Sequence, residues 1–265
     1  MNMMTTHKKK TIQQIKALLA DVETLEALEQ HPDRIDTRKG VQAAFHSRRK
    51  QLEKQAQLIE QYVAMSRYED EILNAHPDAL ICGIDEVGRG PLAGPVVASA
   101  VILESNHQHI GINDSKQLNA AKRETLNQSL KDNVLAWAIG VATVEEIDTL
   151  NIYEATKLAM YRAIENLSVT PTHYLIDAMT LEKLAEPQQN IIKGDANSVS
   201  IAAASIIAKV YRDDLMADYA EQYPGYDFEH NAGYGTAKHL SGLAQQGVCP
   251  IHRLSFEPIK SQYRS

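Results

Sequence analysis

The sequence predicts an α/β fold: one mixed five-stranded sheet flanked by helices, preceded by a helical N-terminal appendage. Short β-branched apolar runs bounded by Gly and Pro recur from residue 79 onward. Amphipathic stretches of helical period alternate with the later runs, the pattern of helices laid on a sheet. The first 75 residues, in contrast, show helical periodicity and no strand-like run. The expected organisation is therefore a helical extension over 1–75 and a sheet domain over 76–265 that ends in a helical part.

TIQQIKALLADVETLEALEQ carries Ile12, Ile15, Leu18, Leu19, Val22, Leu25 and Leu28 near the 3.6 period, which predicts one helix ended by His31-Pro32-Asp33. A second helix is expected over 39–74, with Arg48, Arg49, Lys50 and Lys54 clustered. Such an appendage either adds contacts to a polyanion or packs as a solvated hairpin. His76-Pro77-Asp78 marks the boundary. Residues 79–84 and 96–103 read as two strands joined through Gly88-Arg89-Gly90-Pro91, and 134–144 as a third, all antiparallel. Between them Asp114 or Ser115 is placed to cap a helix over about 119–130. An amphipathic helix over 152–167 is broken by Pro171. A fourth strand, 173–176, ends on Asp177, and a fifth, 190–193, ends in Gly194-Asp195. The helix over 200–219 opens with IAAASIIAKV, apolar nearly all round and so buried.

No apolar run approaches the roughly 20 residues of a membrane span, so no membrane association is expected. The start, MNMMTTHKKKTIQQIK, has lysines without an apolar stretch behind them and does not read as a secretory signal. Cys82 and Cys249 lie far apart and suggest neither a disulfide framework nor a zinc site. A reduced, cytoplasmic, monomeric protein is expected. The net charge of −7 at face value opposes a nucleic-acid partner. Acids and bases balance over the first 80 residues, so the whole excess lies beyond them. An ordinary acidic surface would produce that excess; so would a metal site built of several acids.

The acids favour the second explanation. Three strands end in carboxylates: Asp85-Glu86, Asp177 and Asp195. Sites collect at the carboxyl ends of strands in open α/β sheets. Several carboxylates gathered there cannot all ionise without a counter-charge. Oxygen ligands with no nearby His or Cys suit Mg²⁺ or Mn²⁺ rather than zinc. Two such ions about 4 Å apart would activate water and stabilise a departing oxygen of a phosphodiester. Neighbours on a regular strand point to opposite faces, so Asp85 and Glu86 share a site only if the strand ends or bulges there, or if Glu86 reaches round it. Taken singly, Asp195 beside Gly194 is a common turn pair, and Asp177 an ordinary strand end. Gly88-Arg89-Gly90 is neither a P-loop nor a dinucleotide fingerprint, but its bare backbone can press against a sugar or phosphate.

Together GIDEVGRGPLAGPVVASAVIL, NDSKQL, LNIYEATKLAM, YLIDA, KGDANSVSIAAASIIAKVYRD, GYGTAKH and HRLSFEPIK resemble ribonuclease HII, the bacterial type 2 ribonuclease H, in the family's order over most of 80–260. The resemblance implies an RNase H-like fold and an endonuclease that cuts the RNA of RNA–DNA hybrids and single ribonucleotides in duplex DNA. It further implies 5′-phosphate products, a place in ribonucleotide excision repair, and dependence on Mn²⁺ or Mg²⁺. Carried over segment by segment, Asp85, Glu86, Asp177 and Asp195 would be the catalytic, metal-holding acids. Gly88, Arg89 and Gly90 would read the 2′-hydroxyl that separates RNA from DNA. Tyr234 would stack on a sugar, although a tyrosine there also suits a turn or core. Asn113, Ser115, Lys116 and Lys193 would contact phosphates or backbone. Ala232 and Gly235 stand where the family often has Lys and Pro. Lys193-Gly194-Asp195 and the helical N-terminus favour type HII over HIII. Two rival readings are a metal-dependent DNA nuclease or resolvase of similar fold, and a non-catalytic nucleic-acid-binding protein.

Overall fold

The computed structural model describes residues 9–263, so the first lysine of the lysine-bearing start lies outside the described residues. The chain divides into two compact units, 1–61 and 62–265. In the first, α1 (Ile12–Ala20) and α2 (Leu25–Glu29) replace the single helix expected there. The chain leaves helix at Asp21, and the Thr24 hydroxyl accepts the Ala27 amide at 3.1 Å to start the next one. These helices and the start of α3 (Lys39–Met65) bury Ile15, Leu19, Leu28, Val41 and Phe45 together. Two members of the basic cluster are engaged inside this unit. Arg48 donates to the Ala20 and Val22 carbonyls, both at 2.8 Å, and Arg49 pairs with Glu29. Lys50 and Lys54 stay exposed.

The helix expected over 39–74 is also two. The Ser66 hydroxyl donates back to the Tyr62 carbonyl at 3.0 Å, a pattern that bends helices, and α4 (Arg67–Ala75) follows. Tyr62, Met65 and Ile72 pack into cores of the second unit, which is why the division falls before His76.

The sheet comprises β1 (Ile81–Val87), β2 (Val96–Ile102), β3 (Ala136–Ala142), β4 (His173–Asp177) and β5 (Gln188–Ile191), in the order β3-β2-β1-β4-β5. The first three run antiparallel, as expected, and β4 and β5 add in parallel beside β1. The intervening helices are α5 (Ala120–Asn133), α6 (Val144–Leu150), α7 (Ile152–Glu165), α8 (Gly194–Asn197) and α9 (Val199–Gln222). Asn119 caps α5; Asp114 instead caps a single 3-10 turn at Ser115–Gln117.

Strand alternation sorts the two layers. Cys82, Ile84, Val96, Ala98 and Ala100 join α7 in one core, whereas Val101 joins Val199, Ala203, Ile206 and Ile207 of α9 in another. Gly83 faces α9 so closely that a Cβ would collide with the Ser200 backbone. That contact sets the depth of α9 on the central strand. Its N-terminus is closed by Glu69 of α4, buried at 2% exposure, whose carboxylate accepts from the Ser198 hydroxyl (2.5 Å) and the Ser200 amide (3.0 Å). The chain ends in α10 (Phe228–Asn231), α11 (Ala237–Gln246) and α12 (Ile259–Tyr263), around Leu92, Met216, Phe228 and Leu243.

Candidate active site

β1 answers the geometric question raised by adjacent acids. Its pairing with β2 is regular through Val87, so there is no bulge, but its pairing with β4 stops at Ile84. Asp85 and Glu86 thus lie beyond the end of the parallel ladder. The Asp85 carboxylate folds along its own strand and accepts the Glu86 amide at 2.8 Å. Carboxylate oxygens of Asp85, Glu86 and Asp177 all come within 4.8 Å of one another. Glu86 therefore reaches round the strand end.

Left-handed residues shape the backbone beside the other two acids, Asp177 at the end of β4 and Asp195 beyond the end of β5 at Ile191. Ala178, directly after Asp177, has φ 48°, and Lys193, two before Asp195, has φ 55°. Asp177 accepts the Gly194 amide at 2.7 Å, which ties the β4 end to the segment carrying Asp195. Asp195 sits in the first turn of α8, its carboxylate 4.0 Å from the Lys116 ammonium, outside the tight group of three.

The electrostatics are those of a crowded anionic pocket. Burial, reinforced by the Glu86 and Asp177 charges, raises the Asp85 carboxyl well above its ordinary range, with Ser205 of α9 opposing by hydrogen bond. Burial likewise raises Glu86 against the pull of Arg89, whose guanidinium lies 3.4 Å away. Asp177 is raised by burial despite the Gly194 amide. Asp195 is raised by burial and by the Asp114 and Asp177 charges. Burial works against the Lys116 ammonium, but the acids around it raise it overall. One Glu86 oxygen, Oε2, is buried with no hydrogen-bond donor. An all-oxygen donor set with a surplus of charge and an orphaned buried acceptor fits a hard divalent cation.

The remaining expected residues surround this pocket unequally. Arg89 and Gly90 are exposed, and Gly88 is buried with φ 92°, where a Cβ would collide with the Arg212 side chain. Tyr234 is half exposed, its ring edge 3.4 Å from where a Cβ on Gly90 would stand. Asn113 is half-buried, bonded to the Asp114 amide and to Gln117. Lys116 and Lys193 are exposed. Ser115 is buried, with its hydroxyl 2.9 Å from that of Ser205, so it stands beneath Asp85 through that partner.

Sequence reasoning missed three residues. Ser205 lies on the buried face of α9, one heptad before Arg212, a periodicity that was available. Arg212 and Arg253 are buried arginines that hold the loop over 88–95 by its carbonyls. Burial lowers Arg212 to about 10 and Arg253 to about 9, so both remain cationic at neutral pH.

Comparison with known proteins bears on the same residues. The family model described as ribonuclease HII matches residues 82–259, and that described as the ribonuclease HII N-terminal domain matches 11–73. Ribonuclease HII of Staphylococcus carnosus is 60% identical over 95% of this chain and 96% of its own length. That of Staphylococcus aureus strain MSSA476 is 59% identical over 95% and 98%. Among solved structures, ribonuclease H2 from Pyrococcus horikoshii OT3 superposes with a TM-score of 0.60 at 26% identity, over 68% of this chain and 95% of that one. The sheet domain and the helices before it carry the same description, and on that ground the chain belongs to the ribonuclease HII family.

Proposed function

We propose that this chain cuts at single ribonucleotides in duplex DNA as well as in hybrids, leaving 5′-phosphate and 3′-hydroxyl ends, with divalent cations held by Asp85, Glu86, Asp177 and Asp195. Endoribonuclease action on RNA–DNA hybrids belongs to the family and so to this chain; the residue roles are the proposal. The observation that carries it is the convergence of three carboxylates within 4.8 Å around a buried Glu86 oxygen that no donor satisfies. Mg²⁺ or Mn²⁺, when bound, would neutralise the acids, lower the pKa of water and stabilise charge on phosphate.

The chain's own groups supply alignment. The backbone of Gly88, Arg89 and Gly90 meets the 2′-hydroxyl, and Tyr234, beside Gly90, stacks on the neighbouring sugar. Lys116 and Lys193, both exposed, meet phosphates, with Asn113 beside Lys116 and Ser115 holding that turn to α9. Exposed Lys50 and Lys54 support a substrate-binding role for the N-terminal helices. All four acids come from one chain, which supports a working monomer. The free thiols of Cys82 and Cys249 suit a reducing cytoplasm, and no helix among the described residues is long and apolar enough to cross a membrane.

The test is cleavage of a duplex carrying one ribonucleotide, run with Mg²⁺, with Mn²⁺ and with EDTA, beside an all-DNA duplex. Cutting at the ribonucleotide with either cation, and none in EDTA or on all-DNA, is expected. Equal cutting of the all-DNA duplex overturns the reading in favour of a general DNA nuclease.

A further inference from the structure

The loop over 88–95 is held from below by two arginines that form no ion pair with a carboxylate among the described residues. Arg253 donates Nη2 to the Gly88 carbonyl (2.5 Å), Nη1 to the Arg89 carbonyl (2.9 Å), and Nε and Nη2 to the Gly94 carbonyl (2.9 and 2.7 Å). Arg212 donates Nε to the Pro95 carbonyl (3.0 Å), Nη2 to Ala93 (3.2 Å) and Nη1 to Ala232 (2.9 Å). Arg253 has no solvent exposure and Arg212 has 1%. A buried guanidinium is tolerated when it is hydrogen-bonded, and here each guanidinium nitrogen of both residues donates to a backbone carbonyl.

A trans peptide points its N–H opposite its C=O. Turning the Gly88 and Arg89 carbonyls inward to Arg253 therefore turns the amides of the same two peptides, Arg89 N–H and Gly90 N–H, outward. Neither amide donates to another group among the described residues, and both residues are exposed. The Gly94 carbonyl precedes Pro95, which has no N–H, so that grip displays nothing.

We infer that Arg253, with Arg212 holding the far part of the same loop at Ala93 and Pro95, is the positioning residue that presents the Arg89 and Gly90 amides as a pair of donors, and thereby sets the preference for a ribonucleotide over a deoxyribonucleotide. This rests on the reading that residues 88–90 meet the 2′-hydroxyl. The guanidinium fork is essential because two adjacent peptide planes must be held at once. An ammonium at the same place has the charge but not the planar pair of donors.

The experiment compares affinities of wild type and Arg253→Lys for a duplex with one ribonucleotide and for the identical all-DNA duplex, with Ca²⁺ present so that no strand is cut. For a variant that still melts cooperatively, the ribonucleotide preference falls by about tenfold, the scale of one net hydrogen bond, while all-DNA affinity holds. An unchanged preference in folded Arg253→Lys overturns the inference and leaves the reading of 88–90 standing. Wild type without any preference overturns that reading and the inference with it. If Arg253→Lys does not fold, the backbone amide resonances of wild type decide. Arg89 and Gly90 shift on adding the ribonucleotide duplex and not the all-DNA duplex; a wild-type preference without those shifts overturns the inference.

Discussion

The two sides of this site treat buried charge in opposite ways. At the ends of β1 and β4, acids crowd together with Arg89 and Lys116 as the cations near them among the described residues, and a Glu86 oxygen is left without a donor. Around the loop that follows β1, Arg253 and Arg212 are buried, bonded to carbonyls, and form no ion pair with an acid among the described residues. Pairing these arginines with those acids would have relieved both. The chain keeps them apart, so the acids remain available to a cation while the arginines shape a loop. An unsatisfied region reads as a place for a ligand, and a satisfied one as scaffold.

The hardest blow to that contrast is Asp85→Asn. Its cleavage rate should fall by about a thousandfold or more, because charge stabilisation at the phosphate is lost. In EDTA the same variant should melt at higher temperature than wild type, since an amide removes repulsion and still accepts the Glu86 amide. A folded Asp85→Asn protein with near-normal cleavage would remove the acid pocket from the mechanism. Gly88→Ala attacks the scaffold side. A side chain at φ 92° would collide with Arg212, costing about 2–3 kcal/mol of stability together with cleavage. Denaturant unfolding measures it, and an unchanged midpoint would show that the loop is not held as described.

Titration sharpens the comparison further. The folded-state values of Asp85, Glu86, Asp177 and Asp195 are all raised. Such groups favour the fold below the ordinary carboxylate range, and that contribution is lost as pH rises through the raised values. Metal-free protein should therefore lose melting temperature from mildly acidic pH towards neutrality. Mg²⁺ or Mn²⁺ should restore it near neutral pH and do little in acid. A cation effect of equal size at both pH values would place the binding elsewhere. The smallest effect belongs to Arg89→Ala: its guanidinium is half exposed and lies a long 3.4 Å from the Glu86 carboxylate, so its contribution to metal-free stability should stay within about 1 kcal/mol.

Much of this was legible beforehand. All five strands, their antiparallel start and the buried α9 follow from β-branched runs, turn residues and an apolar helix. The short α6 did not, although Thr143 and Glu146 form a capping box ahead of it. Reading Val144 as the end of a strand concealed that signal. The break at Thr24 was lost beneath an apolar period that continues across it. Asp85, Glu86 and Asp177 stood out because they follow apolar runs; Asp195, expected at the end of the fifth strand, lies instead in α8 beyond the end of β5 at Ile191. Arg253 and Arg212 did not stand out, since a guanidinium bonded to carbonyls more than a hundred residues away leaves no local pattern. The inward hydroxyl of Ser115 was hidden for the same reason, as its partner Ser205 lies 90 residues on.

The Glu69 cap has a consequence for how the molecule is made. Its hydroxyl partner, Ser198, is 129 residues later in the chain. At ribosomal speeds that separation lasts on the order of ten seconds. Throughout that interval the nascent polypeptide carries a hydrated glutamate whose destination has not been synthesised. α9 closes onto it only late in translation, so β1, β2 and β3 emerge well before their covering helix can be locked at its leading end.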